Sequence, residues 1–306
     1  MFPDPEVVRE IAAEMGISPA FVEKDWYAVQ VLKAVAAYQD DAFQAIFSGG
    51  TSLSKGYGLI QRFSEDLDFR CLAFRSEPGN QMRKLRRAYR QGMLEEIGQS
   101  RLLTLDREDV EVASNYVKFE LGYRQDHEAS PALRPGLQVE FSFTQPRLEP
   151  ELRSVQSLVA HYTERPPELE LPCLSPVETA ADKVSALTWR VLKRNRASDN
   201  DDPTVIRHLH DLAALMSIVE ENRTLFIETV FASFEEDQKT EKRDTRAGLA
   251  DSVAKAMAIL GDDMEYRGEY RRFVDAMSYA EDDENIDFDV AMADLERLHS
   301  WIRSAD

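Results

Sequence analysis

A glycine pair followed by an alternating acidic segment constrains the fold of this 306-residue chain more than any other feature. Gly49 and Gly50 directly follow residues 42–47, a short apolar run that predicts a strand. Residues 66–72 then alternate between apolar and charged side chains, which predicts a second strand with one polar face. We predict a short helix over residues 51–62, so that the glycine turn and this helix connect the two strands.

The remaining pattern predicts an α+β fold. Two amphipathic helices precede the first strand, and from residue 175 onward the pattern is helical. Prolines concentrate between residues 145 and 172, so we predict two domains, 1–165 with a small mixed sheet and 166–306 with helices alone. The other predicted elements are helices over 4–15, 18–38 and 80–97 and strands over 116–123 and 137–143.

Charge and cysteine content limit the classes of protein to be considered. The net charge of −19 repels nucleic acid, so a nucleic-acid substrate would require a local basic patch. Cys71 and Cys173 are the only cysteines and lie far apart in sequence, which argues against a disulfide framework or a zinc site. No apolar stretch approaches about 18 residues, and residues 1–16 lack a secretory signal. We therefore expect a cytoplasmic protein with no membrane association.

Three acidic side chains are predicted to hold a divalent metal. Alternation places the carboxylates of Asp66 and Asp68 on one strand face, about 6.5 Å apart along the strand. Glu140 lies on the polar face of the strand over 137–143 and is the candidate third ligand. Two or three acids suffice for a pair of Mg²⁺ ions about 3.5–4 Å apart, because magnesium keeps several waters. A solvated strand face would explain the aspartate pair alone, but the glycines and Glu140 favour a metal site.

The glycine turn is predicted to bind phosphate groups. Without β-carbons, Gly49 and Gly50 let backbone N–H groups approach an anion, and the start of the following helix favours negative charge. Hydroxyl groups and one lysine extend the predicted set, which comprises Ser48, Gly49, Gly50, Thr51, Ser52 and Lys55. The alternative is an ordinary turn between a strand and a helix.

Cations in the helical half extend the predicted site. Lys183 and Arg190 lie two turns apart on a helix face with small residues, a spacing that suits contacts to neighbouring phosphates. Asp211 lies in the next predicted helix, four residues after Arg207. It either pairs with Arg207, or it orients Lys183 or Arg190, or it accepts a proton from the acceptor as a base.

A basic segment offers the local patch that nucleic acid would require. Five cations fall within the helix predicted over 80–97, namely Arg83, Lys84, Arg86, Arg87 and Arg90. We predict that they contact RNA phosphates. The alternative is a solvated helix face whose cations pair with the excess acids of the chain.

In four segments the chain resembles the AbiEii/AbiGii toxin family of nucleotidyltransferases, within the polymerase-β-like superfamily. The segments are Glu23-Lys24-Asp25, the run from Gly49 through Ser64-Glu65-Asp66-Leu67-Asp68-Phe69, Pro176-Val177-Glu178 leading to Lys183 and Arg190, and Arg207-His208-Leu209-His210-Asp211. They span roughly residues 20–215, and the second is the most specific.

The resemblance implies a nucleotidyltransferase domain followed by a helical domain, with NTP as substrate and Mg²⁺ as cofactor. It implies metal binding by Asp66 and Asp68, phosphate binding by Gly49, Gly50 and Ser52, and completion of the catalytic site by Lys183 and Asp211. Members are toxins of toxin–antitoxin or phage-defence systems and are usually encoded beside an antitoxin. Some add nucleotides to the 3′ end of tRNA.

We therefore expect a Mg²⁺-dependent nucleotidyltransferase toxin that transfers NMP from NTP to an acceptor, with the tRNA 3′ end as the predicted acceptor. A cognate antitoxin is the predicted protein partner. Two alternatives stay open: transfer to a protein or small-molecule acceptor, and a non-catalytic protein that binds NTP and a partner. The acids argue against the second, because holding like charges together without a function is unfavourable.

Overall fold

The computed structural model describes residues 2–106, 108–199, 201–239, 247–281 and 284–306. These residues form two compact units, the first comprising 1–58 and 63–174 and the second comprising 59–62 and 175–306. No helix in the described ranges is long and apolar enough to cross a bilayer.

The N-terminal helices begin at the side chains that the sequence offers as caps. Helix α1 (Pro5–Met15) begins where the Asp4 carboxylate accepts from the Glu6 N–H at 2.9 Å, and it ends at Gly16 in the left-handed region. Helix α2 (Pro19–Ala37) is capped by Ser18. The pattern predicts one buried face for α2, but the helix is buried on most sides, including the charged Glu23 and Lys24.

Eight strands in the described part of the chain form one mixed sheet in the first unit. They are β1 (Phe43–Ser48), β2 (Asp66–Ala73), β3 (Leu103–Leu105), β4 (Glu111–Val112), β5 (Tyr116–Tyr123), β6 (Leu137–Ser142), β7 (Glu151–Val155) and β8 (Leu169–Cys173). Their order is β3-β5-β6-β2-β1-β8-β7, with β4 paired to β5. The β2–β6 and β1–β8 pairs are parallel and the others are antiparallel.

The predicted mixed sheet is confirmed, but the sequence misses four of its strands. β3 and β4 are too short for a periodic signal, and β7 and β8 lie in the proline-rich stretch where we predict a domain boundary. Because β8 pairs with β1, the sheet continues beyond residue 165, and the first unit ends at Leu174.

Three phenylalanines form a row on the buried face of the sheet, and their positions determine which side chains lie on the opposite face. Phe47, Phe69 and Phe141 lie side by side on β1, β2 and β6, and the rings of Phe69 and Phe141 stack with centroids 4.8 Å apart. Since successive strand residues face opposite sides, the polar residues next to this row all lie on the other face of the sheet.

The other helices of the first unit are α3 (Gly49–Lys55), α4 (Gly79–Gly98) and α5 (Leu158–Tyr162). Helix α3 is shorter than the predicted 51–62. It begins at Gly49 itself and ends before Gly58, whose φ of +65° is incompatible with helix.

The second unit is helical in its described residues, as predicted. Its α-helices are α6 (Pro176–Lys193), α7 (Arg207–Ala214), α8 (Met216–Glu221), α9 (Arg223–Gln238), α10 (Leu249–Asp262), α11 (Met264–Met277) and α12 (Phe288–Ala305). Helix α6 is central and packs against α7, α9 and α10. The short segment 59–62 joins this unit through a bridge between Arg62 and Ser278.

Candidate active site

The sheet register places the three predicted metal ligands on one face. Asp66 and Asp68 alternate with buried Leu67 on β2. Asp68 is the register partner of Glu140 on β6, and Asp66 is the register partner of Gln138. Neighbouring strands are about 4.8 Å apart, so two carboxylates lie on one strand and a third is adjacent in register.

Gly49 shapes the position of the Asp68 carboxylate. Its φ of +74° favours glycine, and a β-carbon added there would lie 2.3 Å from Asp68 Oδ2. The carboxylate therefore lies directly against the backbone at the start of α3. Gly49 thus has a structural reason that involves the acid, in addition to the predicted approach to phosphate.

The hydroxyl group of Thr51 holds the start of β2 in place. It donates to the Asp66 carbonyl at 2.6 Å and lies 3.4 Å from the Ser64 carbonyl. The contact positions the backbone of Asp66, a predicted metal ligand. The hydroxyl proton of Thr51 is therefore already donated to a backbone carbonyl. Ser48, Gly50 and Ser52, the other predicted phosphate-binding residues here, are buried around the same turn.

Three consecutive charged residues on α2 tie separate segments of the first unit together. The Glu23 carboxylate accepts from the Asp126 N–H at 2.8 Å. The Lys24 ammonium donates to Glu65 at 2.6 Å, and Asp25 accepts from the Leu158 N–H at 2.7 Å. The sequence identifies Glu23-Lys24-Asp25 only through family resemblance. In the structure, each of these side chains contacts a different segment of the first unit.

Lys55 is paired within the first unit. Its ammonium donates to the Asp25 carboxylate, and both side chains are largely buried. The ion pair links the end of α3 to α2. The Lys55 ammonium, which we predict to bind phosphate, is thus paired with a carboxylate of the protein.

Arg134 approaches the acids although no sequence motif marks it. Its guanidinium lies 3.4 Å from Asp66 Oδ1 and 3.3 Å from Gln138 Oε1. Arg134 directly precedes Pro135 and Gly136, and this signal predicts a turn before β6 but not the position of the arginine side chain.

The acids offer part of the donor set that magnesium uses. In the described residues, no group of three His, Cys, Asp or Glu side chains converges to hold a metal without other ligands. Mg²⁺ is usually held by one or two carboxylates together with waters and substrate phosphates. Asp66 and Asp68, which share one face beside the backbone of Gly49, match that donor set.

In the second unit, Lys183 and Asp211 form a buried ion cluster with Arg62. Lys183 Nζ donates to Asp211 Oδ2 at 2.5 Å, and Arg62 donates to both carboxylate oxygens of Asp211 at 2.7 and 2.6 Å. Burial alone would raise the pKa of Asp211, but Arg62 and Lys183 outweigh it and hold that pKa well below its usual value. Burial lowers the pKa of Lys183, and Arg62 acts in the same direction.

The cluster distinguishes between the alternatives that the sequence leaves open for Asp211. The Asp211 carboxylate pairs with Lys183 and is fully buried, so it does not form the surface pair with Arg207, and its roles as an orienting group or as a base both stay predictions. Arg62 is a partner that sequence reasoning missed, because it lies between the two motifs of the first unit and has no helical spacing to Asp211.

Two further residues border this cluster. Arg190 donates to Asp202 at 3.2 Å and remains partly exposed. His208 is buried, and burial followed by the charges of Lys183, Arg207 and Arg190 lowers its pKa well below the usual value. It is therefore a neutral imidazole near neutral pH.

The five cations of α4 divide into two groups. Arg86 and Arg90 donate to the carbonyls of Ser114 and Ala113 and lie over the Phe143 ring, so they support the fold. Arg83, Lys84 and Arg87 are exposed. The predicted RNA contact therefore rests on these three exposed side chains.

Two comparisons relate the chain to known proteins. Residues 30–294 match the family described as nucleotidyl transferase AbiEii toxin of type IV toxin–antitoxin systems. Among solved structures, the chain is similar to MenT4, a nucleotidyltransferase toxin from Mycobacterium tuberculosis H37Rv, with a TM-score of 0.61 and 18% sequence identity. The match covers 98% of this chain and 90% of the MenT4 chain. At this identity the likeness supports the fold alone. No curated protein sequence matches.

Proposed function

The chain belongs to the AbiEii family of nucleotidyltransferase toxins, and from this premise we propose that it transfers NMP from NTP to the 3′ end of tRNA with Mg²⁺. Membership makes it a nucleotidyltransferase and the toxin of a toxin–antitoxin system, and the family implies a cognate antitoxin. The tRNA acceptor, the Mg²⁺ dependence, a role in phage defence and a cytoplasmic location belong to the proposal.

One observation supports the proposal most strongly. The Asp68 carboxylate lies against Gly49 at the start of α3, and Asp66 shares its face of the sheet. A pair of carboxylates beside a backbone without a β-carbon suits a site where phosphate oxygens complete the metal coordination.

The proposed reaction forms one phosphorus–oxygen bond and breaks another. The acceptor hydroxyl oxygen attacks the α-phosphorus in line with the bond to pyrophosphate, the hydroxyl proton passes to a base or to water, and pyrophosphate leaves. Bound Mg²⁺ would supply neutralisation of the charge that develops on the phosphates. Asp66, Asp68 and Glu140 would hold it, and Ser48, Gly49, Gly50 and Ser52 would line the phosphates.

The roles of the remaining site residues stay predictions. Lys183 and Arg190 would neutralise the triphosphate, and the observed pair with Asp211 would hold the Lys183 ammonium in one orientation. The pairing of Lys55 with Asp25 favours a structural role for this lysine over the nucleotide contact predicted from the sequence. The exposed face of α4 would contact RNA.

A second candidate acceptor is a cationic small molecule or a basic protein segment. A cavity of about 820 Å³ lies over the outer strands of the sheet. Among the described residues that line it are Asp106, Asp109, Glu111 and Glu120, with Lys118 as the cation. It also includes Gln138, the register partner of Asp66. Such a lining favours a positively charged group over RNA.

Transfer assays distinguish these acceptors. Purified protein is incubated with each NTP labelled at the α-phosphate, Mg²⁺, and either total tRNA, a basic peptide library or aminated small molecules, beside Asp68→Asn. We expect label on tRNA with the unsubstituted protein and at least a hundredfold less with the variant, as for loss of a metal ligand. Label only on a peptide or small molecule would replace the tRNA proposal by the second candidate.

A further inference from the structure

The loop before β6 carries one arginine whose backbone is fixed on both sides. The N–H of Arg134 donates to Glu65 Oε1 at 2.6 Å, and its carbonyl accepts from Lys24 Nζ at 2.8 Å. Lys24 and Glu65 also pair with each other at 2.6 Å. One ion pair thus holds both polar groups of a single peptide segment.

This ion pair is buried, while the arginine side chain is not. The exposed fractions of the Lys24 and Glu65 side chains are 6% and 13%, whereas that of Arg134 is 51%. Burying charges is unfavourable unless geometry and hydrogen bonds compensate, as they do here through the backbone of residue 134. The arrangement fixes where the side chain begins, and the half-exposed guanidinium lies 3.9 Å from Glu65, 3.4 Å from Asp66 and 3.3 Å from Gln138.

The residues that follow stiffen the same segment. Pro135 has a fixed φ and no N–H, and Gly136 has a φ of +71°. A β-carbon on Gly136 would lie 2.5 Å from Glu120 Oε1, so the chain passes close to β5. Arg134 is therefore presented from a rigid turn.

The contact of the guanidinium with Asp66 is weak enough to be exchanged. Its distance of 3.4 Å is long for a charge-assisted hydrogen bond, and the side chain is half exposed. A divalent cation on Asp66 would repel the guanidinium, whereas an incoming phosphate would attract it. The planar fork of arginine also matches two phosphate oxygens.

We propose that Arg134 is a phosphate-binding residue of the transfer reaction, released from Asp66 when metal and substrate bind. This inference rests on the proposed function, since it takes Asp66 as a metal ligand. The phosphate belongs either to the triphosphate of the NTP or to the terminal nucleotides of the acceptor, and the two sources share the chemistry that the guanidinium recognises.

Equilibrium binding tests the inference without turnover. The dissociation constants of a non-hydrolysable NTP analogue with Mg²⁺ and of tRNA are measured for the unsubstituted protein, Arg134→Ala and Arg134→Lys. We expect Arg134→Ala to weaken one of the two by about 10- to 100-fold, as for lost hydrogen bonds to a charged group, with partial recovery in Arg134→Lys. Weaker analogue binding identifies the triphosphate as the source, and weaker tRNA binding identifies the acceptor.

Arg124→Ala is the matched control. Arg124 lies in the same loop and is 66% exposed, but it pairs with Asp126. We expect it to bind both ligands as the unsubstituted protein does. The inference would be overturned if Arg134→Ala bound both ligands as tightly as the unsubstituted protein does. It would also be overturned if the variant changed only the Mg²⁺ concentration that gives half-maximal binding, because that result would mean that Arg134 only orients Asp66.

The outcomes separate this inference from the proposed function. If the unsubstituted protein transfers no NMP to any acceptor although Arg134→Ala weakens binding of either ligand, the inference stands and the proposed reaction fails. If the protein transfers NMP to tRNA and Arg134→Ala binds both ligands normally, the proposed function stands and the inference fails.

Discussion

Gly49 and Asp68 are so close that a single methyl group could not fit between them: a β-carbon on Gly49 would lie 2.3 Å from Asp68 Oδ2. Gly49 and the Asp-x-Asp strand are therefore in direct contact, although they belong to separate motifs in the sequence. The position of the acid depends on the absence of a side chain at residue 49.

Gly49→Ala should disable transfer beyond its effect on stability. The positive φ makes alanine unfavourable by about 1–2 kcal/mol, and the new methyl group must also displace the Asp68 carboxylate. Gly58→Ala is the control, because Gly58 has a φ of +65° and no atom within 4 Å of the added β-carbon. We expect both variants to lose stability in urea unfolding, Gly49→Ala more than Gly58→Ala, but only Gly49→Ala to lose at least tenfold in the transfer rate of the folded protein. Equal transfer by the two variants would contradict this account.

Asp211→Asn should lower the free energy of unfolding and should also reduce the loss of that free energy at acidic pH. Removing one partner from a buried ion cluster costs about 3–5 kcal/mol, because Arg62 and Lys183 lose their counter-charge. The pKa of Asp211 is depressed in the folded state, so the unfolded state binds the proton more readily. The stabilisation is present above about pH 4, the ordinary pKa, and is lost as pH falls below it.

Urea unfolding between pH 3 and 7 measures this effect. The difference in unfolding free energy between the unsubstituted protein and Asp211→Asn should be largest near neutral pH and should shrink as the pH is lowered below about 4. A difference that does not change over this range would show that Asp211 is not held ionised by its neighbours.

Lys55→Met should affect stability more than nucleotide binding. Lys55 pairs with Asp25, and both side chains are nearly buried, so the variant leaves a carboxylate without its cation. Lys33→Met is the control, since the Lys33–Glu168 pair is more exposed and should contribute less than about 1 kcal/mol. We expect the melting temperature to fall only for Lys55→Met, with less than a twofold change in the KM for NTP. An increased KM at unchanged stability would instead support the phosphate contact predicted from the sequence.

Charge reversal on the exposed face of α4 should weaken RNA binding. Arg83 and Arg87 are exposed and lie one turn apart, so Arg83→Glu/Arg87→Glu changes the patch without removing the supporting contacts of Arg86 and Arg90. The control is Arg271→Glu/Arg272→Glu, which makes the same change of net charge on α11. We expect at least tenfold weaker tRNA binding and a shallower salt dependence for the first variant only. Equal binding by both would assign α4 to the solvated surface.

Periodicity and turn signals predict much of the fold. Alternation along residues 66–72 and 116–123 is strong enough to define two strands and their faces, because one face is fully buried. The helices α1 and α2 begin at Asp4 and Ser18, whose side chains accept backbone hydrogen bonds. The predicted mixed sheet and helical second half are both present.

The contacts that set the site could not be predicted from local pattern. The pairing of β2 with β6 brings Asp68 beside Glu140, and this register depends on tertiary packing. Arg62 and Asp211 are far apart in sequence, as are Lys24 and Arg134, and neither pair has a helical or strand spacing. The short strand β8 also could not be predicted, because it contains a proline and because its partner β1 lies more than a hundred residues earlier in the sequence.

The most direct test of this account is to sequence the 3′ ends of purified tRNA after incubation with NTPs and Mg²⁺, using the unsubstituted protein and Asp68→Asn. We predict 3′ ends extended by added nucleotides with the unsubstituted protein and unchanged ends with the variant, which keeps the size of the side chain but loses its charge. Unextended tRNA with folded, unsubstituted protein that labels another acceptor, or equal extension by both proteins, would contradict the account.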